Sequence, residues 1–127
     1  MTAFPDAEQW LMSYLGDIAP CYTVLPSQFS GTVILINRVG GASDFLTDRP
    51  RIEIGVFVPE SDAQSARTEA WRITELIRNR IDDARRKTAN GQLCDGGRID
   101  NPPFLRPDPN TSLRCVVTTV VLSFRRQ

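Results

Sequence analysis

The sequence predicts an α+β fold, a mostly antiparallel sheet of about four to five strands with two helices packed on one face. Two observations carry that expectation. Segments 5–15 and 61–87 place apolar residues at the three-and-four spacing of amphipathic helices. Segments 32–36 and 116–122 are almost continuous runs of β-branched and aliphatic residues, as expected of strands covered on both sides. The resulting order is helix, strands, long helix, strands, which lets the helices share one face of the sheet.

In the first helix, Ala7, Trp10, Leu11, Tyr14 and Leu15 fall on one stripe. Pro5 suits the first helical position, Asp6 and Glu8 favour the positive end of the dipole, and Gly16 is placed to end it. Residues 21–25 form a short strand candidate between Pro20 and Pro26. The run 32–37 reads as a central strand. Residues 51–58 alternate, with Ile52, Ile54, Val56 and Val58 on one face, and Pro59 stops them. Ser61 or Asp62 then caps the long helix. Its stripe is Ala63, Ala66, Ala70, Ile73, Ile77, Ile81 and Ala84, widened by Trp71 and Leu76. On the opposite side Glu69 with Arg72 and Glu75 with Arg78 make solvated pairs worth ~0.2–0.5 kcal/mol each. Arg85, Arg86 and Lys87 lie where the helix's negative end favours cations.

Asn90-Gly91 marks a turn, and 92–105 reads as one broken strand interrupted by Gly96-Gly97 and Pro102-Pro103. The last segment, 112–125, is the strongest strand signal. The apolar runs require cover on the sheet's second face as well. A neighbouring subunit, or the chain's own twist and loops, would provide it.

The connection between 32–39 and 51–58 is longer than a plain hairpin needs, so the chain is expected to be one α+β domain, 1–127, with a long inter-strand loop at 39–50. Gly40-Gly41 permits a sharp turn and Pro50 stiffens the return. Arg38, Arg49 and Arg51 add planar multi-donor cations, and Phe45 and Leu46 sit at the tip. That composition suits a docking loop; an irregular surface loop accounts for the same residues. The glycine pair and the length also predict weak ordering at 40–50 in a free subunit.

Composition narrows the function. Hydrophobic residues are 41%, enough for one core, and 15 basic residues balance 15 acidic ones, so whole-chain charge offers no footprint for nucleic acid or anionic membrane. The bases are arginines apart from Lys87, a mild sign of protein contacts. No signal peptide is expected, because residues 1–6 lack a basic segment followed by an apolar one. The apolar runs are too short to cross a bilayer as helices. Cys21, Cys94 and Cys115 form no CxxC pair and read as small buried or half-buried residues.

The chain has no histidine, which removes the commonest general base and the commonest metal ligand. Gly40-Gly41 and Gly96-Gly97 lack the context of a phosphate or dinucleotide loop. Asp82 and Asp83 point apart on a helix, Asp44 and Asp48 alone make a weak cation site, and Asp95 and Asp100 suit turn geometry. No catalytic residue, cofactor or metal is expected. The chain does not read as an enzyme.

The residues that remain resemble a family. Phe4-Pro5-Asp6-Ala7 at the first helix, Arg38-Val39-Gly40-Gly41, and Thr47-Asp48-Arg49-Pro50-Arg51-Ile52-Glu53-Ile54-Gly55-Val56-Phe57 are similar to small tail proteins of long-tailed bacteriophages, most nearly the tail terminators of actinobacteriophages. The resemblance implies a virion protein, made in the host cytoplasm, that forms a homo-oligomeric ring, typically a hexamer. Such a ring caps the head-proximal end of the tail tube, stops tube polymerisation and presents the surface for head-completion or connector proteins. Genomic DNA passes through the lumen without specific binding, and no membrane is involved. Subunit or tube contact would then fall to Arg38, Gly40, Gly41, Phe45, Leu46, Asp48, Arg49, Pro50 and Arg51. The alternatives are a head-tail connector or tail-tube subunit of the same virion, or a small cytoplasmic ligand-binding domain.

Overall fold

The computed structural model describes residues 3–59, 63–110 and 113–127. Helix α1 (Ala7–Leu15) starts two positions later than Pro5 suggests, because Asp6 is the N-cap. Its carboxylate accepts the Glu8 and Gln9 amides at 3.1 and 3.2 Å, satisfying donors that a new helix leaves orphaned. Trp10, Leu11 and Leu15 are fully buried. Gly16 ends the helix in ordinary right-handed geometry, φ −65°, rather than as a left-handed cap.

The strands are β1 (Cys21–Tyr22), β2 (Val33–Ser43), β3 (Thr47–Pro59), and, after helix α2 (Ala63–Asp82), β4 (Thr88–Ala89), β5 (Gln92–Leu93), β6 (Gly96–Arg106) and β7 (Leu113–Arg125). The main sheet has five strands in the order β1-β2-β3-β7-β6, and β4 and β5 form a separate two-stranded hairpin. The pairings are antiparallel except for the short parallel contact of β1 with β2. The expected α+β class and the mostly antiparallel sheet are what the molecule has.

Several local expectations change. The run 32–37 is an inner strand, as expected, but β3 holds the middle of the sheet, and β2 is flanked on its outer side by β1 only at Ile34 and Leu35. Its apolar character follows from cover above and below. Helix α2 stops at Asp82, short of 87. Arg86 adopts a left-handed φ of 62° and gives its N–H to the Cys94 carbonyl at 2.9 Å, which pulls 85–87 out of the helix. The proposed caps Ser61 and Asp62 lie outside the described residues. Segment 92–105 divides between the β4–β5 hairpin and the edge strand β6. Asn90 and Gly91, at φ 51° and 70°, make the two-residue turn of that hairpin. Pro102-Pro103 is tolerated because β6 is an edge whose register shifts on both sides of Asn101.

The largest correction concerns 39–50. It is not a loop. β2 and β3 continue as a hairpin pairing Gly41 with Pro50, Ala42 with Arg49 and Ser43 with Asp48, so the connection shrinks to 44–46. A bulge between Arg38 and Gly40 absorbs the irregularity. The β3–β7 register passes over Arg49 and Pro50, where proline has no N–H to give.

Both helices cover one face of the sheet. There Trp10, Leu11, Ile36, Ile54, Ile77, Ile81, Leu122 and Phe124 form the main core. On the other face Val33, Phe57, Cys115 and Val117 make a smaller cluster, closed by the chain's own Leu25 and Phe29. The second face thus has local cover at this end, supplied by the segment after β1. Beyond it the face turns polar, with Arg106 on Glu53 and Arg51 and Arg98 sharing Asp100.

Candidate functional site

The candidate residues gather at the distal end of the β2–β3 hairpin, but they do different jobs. Asp48 faces inward on β3 and is buried, its side chain 4% exposed against 40% for Arg38. The two carboxylate oxygens accept from both terminal nitrogens of Arg38 at 2.8 and 2.9 Å, a bidentate fork. That bond to Asp48 raises the Arg38 pKa above the ordinary arginine value. Glu8 of α1 accepts the Arg38 backbone N–H at 2.9 Å, tying the bulge to the helix layer. Pro50 is buried opposite Gly41. Arg51 spends its guanidinium on Asp100 at 2.9 Å. Arg38, Gly40, Gly41, Asp48, Pro50 and Arg51 therefore build the hairpin.

Phe45, Leu46 and Arg49 are presented by it. Phe45 and Leu46 are each 70% exposed. Their position is not loose. The Asp44 carboxylate accepts the Leu46 and Thr47 amides, both at 2.8 Å, and the Asp44 N–H closes the turn on the Thr47 carbonyl at 2.9 Å. Arg126 stands with its guanidinium 4.2 Å from the Phe4 ring centre and 5.2 Å from that of Phe45, while its Nε donates to the Phe45 carbonyl at 2.8 Å. Arg49 lies 3.9 Å from Asp44, and the exposed Arg125 lies 3.2 Å from Asp95. The tip is a hydrogen-bonded apolar prong set among arginines. Sequence reading missed Phe4, Arg125 and Arg126; the signal was the basic pair at the end of β7, whose Arg125 pairs with Thr47.

The amide bonds from Thr47 and Leu46 hold the Asp44 carboxyl below its ordinary 3.8. A group with a lowered folded-state pKa stabilises above its unfolded value and loses that contribution as pH falls through the folded one. Acidification should accordingly release the turn, with the Leu46 and Thr47 amide shifts titrating together in NMR at a midpoint below 3.8. A midpoint at or above that value would show that the carboxylate does not hold the turn.

Other chemistry is sparse. Among the described residues no group of three or more His, Cys, Asp or Glu converges as a metal site, and no helix is long and apolar enough to cross a membrane. Burial pushes the Cys21 and Cys115 thiols up to about 11. At pH 8 they stay protonated and should alkylate far more slowly than an exposed cysteine, as mass spectrometry of iodoacetamide-treated protein would show.

No family model matches this chain, and no curated protein does. Among solved structures, a chain from the virion of a native gene transfer agent particle aligns with 91% of this chain and 84% of its own length, at a TM-score of 0.59 and 14% identity. At that identity the likeness is one of fold: the helix-backed sheet described above is also the architecture of a protein in a gene transfer agent virion.

Proposed function

We propose that this chain is a structural virion protein whose copies close into a ring on the head-proximal end of a phage-like tail tube. The ring ends tube growth and offers the surface on which head-completion or connector proteins dock. The observation that carries this reading is the fold shared, over 91% of the chain, with a protein of a gene transfer agent virion. The exposed prong at 44–46 supports it, because large apolar side chains held in water favour burial against a partner. Balanced charge suits a conduit, since a wall rich in unpaired cations would hold DNA phosphates. The role is architectural, with no reaction assigned to any residue.

Native mass spectrometry and negative-stain microscopy test it, with tail tubes present and absent. The expected species is a ring of about six 14.2 kDa subunits that binds one tube end and halts elongation. Growth into long tubes would make the chain a tube subunit instead. A persistent monomer, even beside tubes, would remove the ring reading. Phe45→Ser with Leu46→Ser should leave monomer stability within ~0.5 kcal/mol, as for most surface changes, while abolishing rings. Rings at wild-type abundance in that variant would remove the prong from the interface.

A further inference from the structure

The helix layer carries a groove that the fold leaves open. It lies between the end of α1 and the outer side of α2, has a volume of about 430 Å³, and is lined by the exposed Leu76, the half-buried Ile18 and the buried Ile73, ringed by the polar Asp17, Arg72, Asn79, Arg80 and Asp83. Leu76, expected in the core from its helical spacing, is instead 41% exposed here. Arg80 is engaged by Asp17 and by the Tyr14 carbonyl, and Arg72 by Glu69. Asp83, mostly exposed, has a surface contact with Lys87 at 3.3 Å.

The prong has the matching character. It offers Phe45 and Leu46 as apolar bulk and Arg49 as an exposed cation whose contact with Asp44 is long, 3.9 Å. Prong and groove cannot meet within one subunit. The prong is tied through Arg126 to Phe4, just before α1, whereas the groove begins at Asp17 and Ile18, just after that helix.

We infer that the Phe45–Leu46 prong of one copy seats in the Ile18–Ile73–Leu76 groove of the next, with Arg49 facing Asp83 across the contact. Two different patches then meet head to tail, an arrangement that generates a closed ring or a helix rather than a two-fold dimer. This rests on the ring reading and names the surface through which it closes. The charge pair sets register and rejects wrong partners, while the apolar contact supplies affinity.

Cysteine cross-linking tests it. The protein carrying both Phe45→Cys and Leu76→Cys, mildly oxidised, should give a ladder of covalent multimers extending past the dimer. Each single variant should stay at the background of the native cysteines. A second pair of variants reads the charge contact. Asp83→Arg should reduce ring abundance at least tenfold in native mass spectra, and Asp83→Arg with Arg49→Glu should restore it. Rings of normal mass without a ladder would overturn the inference and leave the ring reading standing. Dimers from Phe45→Cys alone would also overturn it, because they show prong meeting prong. If the unsubstituted protein forms no ring with tubes present, the ring reading fails, and the inference falls with it.

Discussion

Gly41→Val should destabilise the protein by about 3 kcal/mol or more, whereas Gly40→Ala, one residue away, should change stability by no more than ~0.5 kcal/mol. Gly41 has φ +121°, a conformation that side chains rarely adopt, and a Cβ built there meets the Arg49 carbonyl, the Arg51 nitrogen at 2.8 Å and the Pro50 Cα at 2.9 Å. All of these are backbone atoms, so no rotamer change relieves the clash. The strand opposite must separate, and with it the pairing of 41–43 to 48–50. At Gly40 an added Cβ has nothing within 4 Å. Urea denaturation of both variants decides the matter. Equal midpoints would mean that the hairpin does not depend on close approach at Gly41.

The second large effect is an asymmetry within the Arg38–Asp48 pair. Arg38→Ala should cost about 2–4 kcal/mol, and Asp48→Ala at least ~1 kcal/mol less. Removing the arginine strands a carboxylate that is 4% exposed; removing the aspartate frees an arginine that is already 40% exposed and can turn to water. That exposure also keeps the cost below the full penalty for breaking a buried pair. The double variant should be more stable than Arg38→Ala alone, since it no longer buries a charge without a partner. Additive costs from the single variants in a thermal or urea cycle would contradict this account.

The same pairings explain why the candidate residues separate as they do. Arg38, Asp48 and Arg51 carry the charge that marks a docking surface in sequence, yet each is paired within the fold. Charge type is visible in a sequence, but a partner ten or fifty residues away is not. The apolar pair Phe45 and Leu46 was legible as exposed because the turn at 44–46 leaves the core no access to them. Leu76 was not, because its spacing fits the stripe of α2 and only the width of the helix layer leaves it open.

Local pattern alone determined the presence of both helices, the strand runs at 33–37, 51–58 and 113–125, and the turn at Asn90-Gly91. Each depends on residues a few positions apart, where period and backbone preference act directly. Tertiary structure decided that 40–43 pairs with 48–51 and leaves only a turn at 44–46, that Leu25 and Phe29 close the second face, and that Arg126 braces the prong. Those outcomes depend on ladder hydrogen bonds and contacts with distant segments. Such contacts outweigh the weak local signal of two glycines and a proline, and they exist only once the sheet has assembled.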